Sequence, residues 1–263
     1  MDLDYTILNA RRLLMERKQS LNVAVIGCGG SGSWLVPHII RLVRLTRDAA
    51  EGPRQVQVDL WDPDTVAEKN IYRQNFSAAE IGMNKAQALA FRCGTAWGVE
   101  VRAHPVPFEG KGNPDVLVGC VDNHKARKAI HKMYSGDRPG PFWIDCGNAV
   151  DSGQVLTGNT LRRPELAFPV GDVCVALPLP TVQHPELLQP APRDQHPFLE
   201  LMSCAEQALY GNQGLTVNAR IAAEAADYFY RLVIQGNLRK YATTFDLVSG
   251  ATRSRYITPD LRW

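Results

Sequence analysis

The stretch Val25-Ile26-Gly27-Cys28-Gly29-Gly30-Ser31-Gly32 decides the fold that this 263-residue chain is expected to adopt. It begins inside an apolar run, residues 21–26, that predicts a strand, and it leads into residues 33–46, which predict a helix with Pro37 near its first turn. Glycines at such a junction permit a tight turn and let phosphates approach bare backbone N–H groups at the positive end of the helix. The stretch therefore predicts a nucleotide-binding loop whose glycines are Gly27, Gly29, Gly30 and Gly32.

Strands and helices alternate outward from this loop. Further strands are predicted at residues 56–61, 99–103, 116–121 and 142–146, and helices at residues 83–97 and 124–134. A βαβ alternation implies a parallel sheet covered by helices on both faces. We therefore predict an α/β fold with a doubly wound, Rossmann-like and mostly parallel sheet.

The chain changes character after residue 150. Residues 154–157 predict a strand of an antiparallel extension, and residues 160–203 hold eight of the 17 prolines, which predicts a long crossover loop. A long helix is predicted at residues 216–235 and a closing hairpin at residues 243–248 and 253–257, while the leucines of residues 1–19 predict an N-terminal helix. We expect one domain, made of a nucleotide-binding half (1–158), the crossover loop (159–203) and C-terminal helices and strands (204–263).

Composition narrows the functional classes. A formal net charge of +2 argues against a nucleic-acid partner, and no apolar stretch reaches the roughly 18 residues of a transmembrane helix. The charged first 22 residues do not resemble a signal peptide, so a cytoplasmic protein is expected. The six cysteines form no Cys-x-x-Cys pair, which predicts free thiols and no zinc site.

A polar loop after the second strand carries groups suited to a nucleotide. Asp62 ends the strand, where its carboxylate is placed to accept hydrogen bonds from ribose hydroxyls. The glycines and Asp62 fit an NAD-dependent oxidoreductase as well as an ATP-using enzyme. Fixed cations at Arg73 and Lys85 favour ATP, because adenylation builds up negative charge on the phosphates, and Asn70 and Gln74 are placed to hold the phosphates and the loop.

Asp122 follows the strand predicted at residues 116–121, on the edge where open α/β sheets bind ligands. Magnesium prefers one or two carboxylates together with phosphate oxygens and waters, so Asp122 is the candidate ligand for Mg²⁺. The alternative is an aspartate that caps the helix beginning near Asn123.

Five elements occur in the same order as in a known superfamily. They are Gly27-x-Gly29-Gly30-x-Gly32, Asp62-x-Asp64-x-Val66, Asn70-x-x-Arg73-Gln74, Gly82-x-x-Lys85 and Cys120-x-Asp122-Asn123-x-x-x-Arg127. With them, residues 21–158 resemble the ThiF/MoeB/HesA superfamily, which includes bacterial sulfur-carrier adenylating enzymes and the adenylation domains of ubiquitin-activating enzymes. The proline-rich crossing and Arg253-Ser254-Arg255-Tyr256-Ile257 resemble more narrowly the ThiF-type protein of bacterial PRTRC gene clusters, which also encode a ubiquitin-like protein.

The resemblance implies an ATP-dependent enzyme that adenylates the C-terminal carboxylate of a ubiquitin-like or sulfur-carrier protein ending in glycine. It implies ATP and Mg²⁺ as cofactors and a homodimer in which Arg11 or Arg12 acts on the neighbouring subunit's site. Because no transfer domain is appended, further transfer would use a separate conjugating enzyme. The implied ATP site has Asp62 on the ribose, Asn70, Arg73 and Lys85 on the phosphates and Asp122 on the metal, with Asp64, Gln74 and Asn123 beside them.

Cys204 is the candidate for a thioester with the activated partner. Ser203-Cys204-Ala205-Glu206 fits a capping box, which would put the thiol in the first turn of a helix, where the dipole favours thiolate. The alternative is a small packed side chain. Cys174, inside the crossing, is a second candidate thiol whose apolar neighbours favour packing.

Other functions stay open besides adenylation of a protein. They are an NAD-dependent oxidoreductase, adenylation of a tRNA-borne carboxylate and a non-catalytic binding module. The modest net charge disfavours tRNA. The presence of Arg73, Lys85 and Asp122 together disfavours the non-catalytic module, because an adenylation domain that has lost its activity usually lacks one of these residue types.

Overall fold

The computed structural model describes residues 5–48, 54–136, 138–162, 167–168, 171–190 and 215–261. Within these residues the strands are β1 (Arg12–Leu13), β2 (Ser20–Ile26), β3 (Gln55–Trp61), β4 (Val101–His104), β5 (Val116–Gly119), β6 (Phe142–Asn148), β7 (Ser152–Gly158), β8 (Val173–Cys174), β9 (Lys240–Asp246) and β10 (Thr252–Tyr256). The α-helices are α1 (Gly30–Asp48), α2 (Lys85–Trp97), α3 (His124–His131), α4 (Pro180–Gln183) and α5 (Leu215–Phe229).

One eight-stranded sheet organises the chain, with the strand order β10-β9-β7-β6-β5-β2-β3-β4. The strands from β6 to β4 pair in parallel, whereas β7, β9 and β10 pair in antiparallel fashion. Parallel neighbours need crossover connections, and α1, α2 and α3 lie in three of them. The predicted mostly parallel sheet, its antiparallel extension and the closing hairpin are confirmed.

Helices cover both faces of the sheet, and the side chains of β2 show the division. Leu21, Val23 and Val25 pack into an apolar cluster with α1, α2 and α5, whereas Ala24 and Ile26 pack into a second cluster with α3 and α4. A central strand that is buried on both faces has a nearly continuous apolar sequence rather than an alternating one. This is why residues 21–26 could be recognised as a strand.

The prediction of a helix over residues 1–19 is wrong for the part that the structure describes. Tyr5–Asn9 form a 3₁₀ helix, and β1 then pairs in parallel with β8, which places Arg12 opposite Val173. Leu13 is fully buried whereas Leu8 is 76% exposed, so the leucines do not share one helical face. A long-range strand pairing outweighs the local helical pattern here.

Pro37 lies further inside its helix than predicted, because α1 begins at Gly30. A proline has no N–H to donate to the carbonyl four residues earlier, which in α1 is the carbonyl of Ser33. Asn75 Nδ2 donates to that carbonyl instead, over 3.2 Å. The replacement donor ties the first turns of α1 to the loop after β3.

The second half of the chain differs from prediction in detail. α5 ends at Phe229 and continues as a π-helix, Tyr230–Gln235, instead of one regular helix. The crossing contains α4 and a 3₁₀ helix at Pro185–Leu188, and residues 191–214 lie outside the described part. The division into segments 1–158, 159–203 and 204–263 stays a prediction. Among the described helices, none combines the length and the apolar character that crossing a membrane requires.

Candidate active site

A cavity of about 620 Å³ opens at the carboxyl ends of β2, β3 and β5. The strand order reverses here, since β3 and β5 lie on opposite sides of β2, and open α/β sheets bind ligands at such reversals. Gly32 is not part of the cavity wall, and Cys204 lies outside the described residues. The predicted site residues that the structure brings to the wall are Gly27, Gly29, Gly30, Asp62, Asp64, Asn70, Arg73, Gln74, Lys85, Asp122 and Asn123.

The glycine loop is pressed between α1 and the end of β5. Gly27 has a φ of +90°, and a Cβ added there would lie 2.6 Å from the carbonyl oxygen of Cys120. A Cβ at Gly32 would lie 2.0 Å from the carbonyl oxygen of Gly27. These two glycines therefore allow the loop to pack tightly, and Gly32 acts through that packing rather than at the cavity surface.

Asp62 fastens the glycine loop to the end of β3. It is only 5% exposed, and its two carboxylate oxygens accept backbone hydrogen bonds from Cys28 (2.6 Å) and Asp64 (2.9 Å). Burial raises the pKa of Asp62, and these two N–H groups oppose the rise. The carboxylate thus already has a structural task, and its predicted contact with a ribose stays a prediction.

Lys85 projects a nearly buried charge at the start of α2. Its side chain is 8% exposed, and Nζ lies 2.9 Å from Oδ2 of Asp64, which is 65% exposed. Asn84 caps the helix through a hydrogen bond from Gln87 N (3.1 Å), and its Nδ2 donates to the carbonyl of Asp62 (2.8 Å). Lys85 is therefore held at the cavity wall by its helix cap and by an ion pair.

Hydrogen bonds between Asn70 and the neighbouring backbone hold the loop that carries Arg73 at the cavity. Asn70, which is 4% exposed, accepts Ala67 N at Oδ1 (2.9 Å), and its carbonyl accepts the N–H groups of Arg73 (3.1 Å) and Gln74 (2.8 Å). Burial lowers the pKa of Arg73, and the carboxylate of Asp122 opposes that change. The loop-holding role predicted for Asn70 is thus visible in the geometry, whereas its contact with phosphate stays a prediction.

Gln74 has an unused acceptor inside the site. The residue is 5% exposed and lines the cavity beneath Gly29. Its Oε1 is buried and accepts no hydrogen bond within the described part of the chain. A buried amide oxygen without a donor is costly, which fits a position completed by a ligand or by ordered water.

Asp122 lies exposed just before α3 and lines the same cavity. The cap of α3 is Asn123, whose Oδ1 accepts Ala126 N at 2.9 Å, so the alternative that Asp122 caps this helix is wrong. Within the described part of the chain, Asp122 Oδ1 accepts one long hydrogen bond of 3.4 Å from Asn123, and the residue lines the cavity. The described residues contain no group of three His, Cys, Asp or Glu side chains arranged for a metal. A lone carboxylate still fits Mg²⁺, which is commonly held by one or two carboxylates with phosphate oxygens and waters.

Arg127, five residues after Asp122, ties α3 to β6 through a buried ion pair. Its Nε lies 3.1 Å and 3.2 Å from the carboxylate oxygens of Asp145, and its Nη2 donates to the carbonyl of Cys146 over 3.3 Å. Asp145 is fully buried, and burial raises its pKa while Arg127 opposes the rise. This pair fixes the helix whose N-terminus carries Asp122.

Asn218 is a site residue that the sequence reasoning missed. It is fully buried near the start of α5, where its Oδ1 accepts Asn148 Nδ2 (2.6 Å) and Ser31 Oγ (3.5 Å), and its Nδ2 donates to the carbonyl of Arg73 (3.3 Å). One amide therefore joins the glycine loop, the end of β6 and the Arg73 loop. None of the five sequence elements quoted for the site includes Asn218.

Two exposed lysines, Lys69 and Lys125, also line the cavity and were not predicted as site residues. A second cavity of about 490 Å³ shares Asp122 and Asn148 with the first and runs over the antiparallel extension at Ser152 and Thr244. The two cavities thus meet at the end of β6.

The other candidates lie away from the cavity. Cys174 is fully buried, its Sγ donates to the carbonyl of Ala176 (3.1 Å), and burial raises its pKa to about 11, so it is a packed thiol. Arg11 pairs with Asp172 at 3.7 Å, and Arg12 lies on β1 rather than on a helix.

Proteins of known structure share this architecture. The sequence matches the model of the ThiF family over residues 5–164, and no curated protein matches it. E. coli MccB crystallised with ATP superposes with a TM-score of 0.59 at 14% identity, over 91% of this chain and 65% of that one. PaaA gives a TM-score of 0.55 at 13% identity over 91% and 64%, and MccB with AMPCPP and MccA gives 0.56 at 14% over 92% and 66%.

The chain spans only 64–66% of the length of these solved structures, and at such identities the likeness concerns the fold. It confirms the Rossmann-like α/β architecture. The narrower resemblance to the PRTRC type stays a prediction. Because the family model covers more than half of the 263 residues, the chain belongs to the ThiF family.

Proposed function

We propose that this protein binds ATP in the larger cavity and uses it to adenylate the C-terminal carboxylate of a ubiquitin-like or sulfur-carrier protein. The observation that carries the proposal is the convergence of the glycine loop, Arg73 and Lys85 on one cavity. Loop N–H groups can bind a phosphate of any nucleotide, whereas fixed side-chain cations serve a reaction in which phosphate charge increases. MccB, which has a similar fold, was crystallised with ATP.

The two cations differ in how they are positioned. Lys85 is nearly buried, and its electrostatic effect is stronger there than in water. Asp64 orients its ammonium group, and because Asp64 is 65% exposed it is well hydrated and weakens the lysine little. Arg73 is anchored by its main chain to Asn70 and Asn218, so the loop places the guanidinium group.

The proposed reaction is an in-line displacement at the α-phosphorus. An oxygen of the partner's carboxylate forms a bond to that phosphorus while the bond to the bridging oxygen of the β-phosphate breaks, and pyrophosphate leaves with the bonding electrons. The products are an acyl-adenylate and pyrophosphate. Arg73 and Lys85 stabilise the charge that gathers on the phosphates, and the glycine-loop N–H groups orient them.

Asp122 is the residue that would hold Mg²⁺ in this proposal. The ion would add positive charge beside the phosphates when bound. Asp122 fits that task because it is an exposed carboxylate at the junction of the two cavities.

The second cavity supports a protein substrate with a slender end. It meets the ATP cavity at Asp122 and Asn148 and extends along the antiparallel strands to Ser152 and Thr244, so an extended chain terminus bound there would bring its carboxylate beside the phosphates. We further propose a cytoplasmic homodimer, a thioester on Cys204 and a separate conjugating enzyme, as the family resemblance implies.

Calorimetric titration with ATP and, separately, with NADH tests the nucleotide. Arg73→Met and Lys85→Met should each weaken ATP binding, whereas Lys111→Met should not, because Lys111 is 81% exposed and lies outside both cavities. A small ubiquitin-like protein ending in Gly-Gly should then promote exchange of labelled pyrophosphate into ATP, and the same protein without its last glycine should not.

The outcomes separate the parts of the proposal. Binding of NADH with no binding of ATP would overturn it in favour of an oxidoreductase. Binding of ATP with no exchange in the presence of any glycine-ended partner would reject the partner class. Exchange that Asp122→Ala leaves unchanged would reject the metal ligand.

A further inference from the structure

Two cysteines face each other in the floor of the larger cavity. β5 and β6 pair in parallel with Gly119 opposite Asp145, so the residues that follow, Cys120 and Cys146, are neighbours across the two strands. Adjacent strands lie roughly 4.8 Å apart, within the roughly 4.4–6.8 Å between Cα atoms that a disulfide spans. Both cysteines are free thiols, and both line the cavity.

The two thiols differ in exposure. Cys146 is 3% exposed, whereas Cys120 is half-buried and is reached from the cavity. A hydrogen bond with the Cys120 sulfur, followed by burial, raises the pKa of Cys146 well above its usual range. Cys146 therefore keeps its proton near neutral pH, and Cys120, as the more exposed sulfur at the cavity, is the one that a reagent meets first.

The other described cysteines have no such arrangement. Cys28, Cys93 and Cys174 are buried outside the cavity wall, and burial is the largest cause that raises the pKa of each. Buried structural thiols of this kind are inert.

We propose that Cys120 and Cys146 form an oxidation-sensitive dithiol, which a hydroperoxide converts into a disulfide in the wall of the nucleotide cavity. The Cys120 sulfur attacks the terminal peroxide oxygen, the O–O bond breaks, and an alcohol or water leaves with the proton of the Cys120 thiol, which gives a sulfenic acid. The Cys146 sulfur then attacks the Cys120 sulfur, the S–O bond breaks, and water leaves with the proton of Cys146. In sum, two thiols and one hydroperoxide give one disulfide, one alcohol and one water.

The disulfide would act on the glycine loop because Cys120 supports it directly. The N–H of Cys120 donates to the carbonyl of Ile26 over 2.7 Å, and its carbonyl oxygen lies 2.6 Å from where a Cβ of Gly27 would be. The Cβ of Cys120 lies 3.2 Å from the corresponding point at Gly32. A bond that draws Cys120 toward β6 changes this contact, and Asp122, two residues further, moves with it.

Peptide mapping of the full chain tests the dithiol without any use of ATP. The reduced protein is treated with hydrogen peroxide, free thiols are alkylated, and the digest is examined by mass spectrometry. A Cys120–Cys146 crosslink that dithiothreitol reverses is expected. In Cys146→Ser, Cys120 should instead be trapped as sulfenic acid by dimedone, and Cys93→Ser should form the same crosslink as the wild type.

Three results would overturn the inference. Cys120 and Cys146 recovered as alkylated free thiols after peroxide treatment, or joined to other cysteines, would reject the dithiol. A crosslink that leaves ATP affinity unchanged would reject its effect on the cavity, because binding at least roughly tenfold weaker is expected when a displaced glycine loop loses one charge-assisted hydrogen bond to a phosphate. This last arm rests on the proposed function, whereas the mapping does not, so the two proposals fail separately.

Discussion

Replacing Arg127 by methionine should strongly destabilise the protein, because it breaks an ion pair that is closed off from water. The side chains of Arg127 and Asp145 are 9% and 0% exposed, and Nε lies 3.1 Å and 3.2 Å from the two carboxylate oxygens. Methionine keeps much of the volume but leaves Asp145 without its cation. Breaking a buried pair in this way costs about 3–5 kcal/mol, out of the about 5–15 kcal/mol that stabilise a typical domain.

The loss of stability should depend on pH. Burial already raises the pKa of Asp145, and Arg127 opposes that rise, so the pKa should rise further in Arg127→Met. A carboxyl group whose folded pKa exceeds its unfolded value stabilises the fold when it is protonated, and that contribution is lost as the pH rises through the folded pKa. The deficit of Arg127→Met should therefore be largest near neutral pH and shrink toward about pH 4.

Urea unfolding followed by far-ultraviolet circular dichroism measures this deficit at two pH values. Arg231→Met is the matched control, since Arg231 pairs with Asp227 at 2.9 Å with side chains 42% and 32% exposed, and Asp227 keeps Lys240 at 3.2 Å. Arg231→Met should lower the free energy of unfolding by less than about 1 kcal/mol. The reasoning is refuted if Arg127→Met costs no more than the control near neutral pH, or if its deficit is equal at both pH values.

Further replacements probe the site and its surroundings. Lys85→Met should weaken ATP binding about 10- to 150-fold, as measured by calorimetry, because one charged hydrogen bond is lost, while the free energy of unfolding should change by less than about 1 kcal/mol. An ATP affinity reduced no more than in Lys111→Met would contradict this expectation. Asn218→Ala should lower the unfolding free energy by about 1–3 kcal/mol, because Ser31 Oγ and Asn148 Nδ2 lose the buried oxygen to which they donate and the carbonyl of Arg73 loses one of its donors. The same change should raise the KM for ATP, and an unchanged KM would show a purely structural role. Burial lowers the pKa of His131, so the contribution of this residue to stability is present above about pH 6.5 and is lost as the pH falls through its folded pKa. In His131→Gln the free energy of unfolding should therefore depend less on pH. Equal pH dependence in the variant and the wild type would disprove this.

The sequence predicted the parallel half of the fold because its signals are local. An apolar run ends in glycines at Gly27, and polar side chains follow the strands, so the positions of Asp62 and Asp122 at one sheet edge follow from the topology alone. The β1–β8 pairing could not be predicted in this way, because it joins Arg12 to Val173 and no local pattern records a contact over that separation.

The supporting bonds of the site were harder to predict than its surface. Asn70 could be named as a loop-holding residue because a polar side chain in a polar loop often bonds to nearby backbone. Asn218 could not, since its partners come from α1, β6 and the Arg73 loop, and only the assembled fold brings them to one amide. The ribose contact expected of Asp62 stays a prediction, whereas the hydrogen bonds that its oxygens accept from Cys28 and Asp64 could not be read from its position in the sequence.

The charges around the larger cavity bear on how a nucleotide is held there. Among the described residues of its wall, four are cationic and three carry carboxyl groups, so the formal excess is a single positive charge: Lys69, Arg73, Lys85 and Lys125 against Asp62, Asp64 and Asp122. A triphosphate carries more negative charge than this excess balances. Lys69 and Lys125 are also exposed, and salt screens them more than it screens the nearly buried Lys85. The same wall that favours a phosphate therefore favours one that is bound together with a divalent cation. Asp122 is the carboxylate of this wall whose one hydrogen bond among the described residues is long, so it is the one best suited to hold that cation.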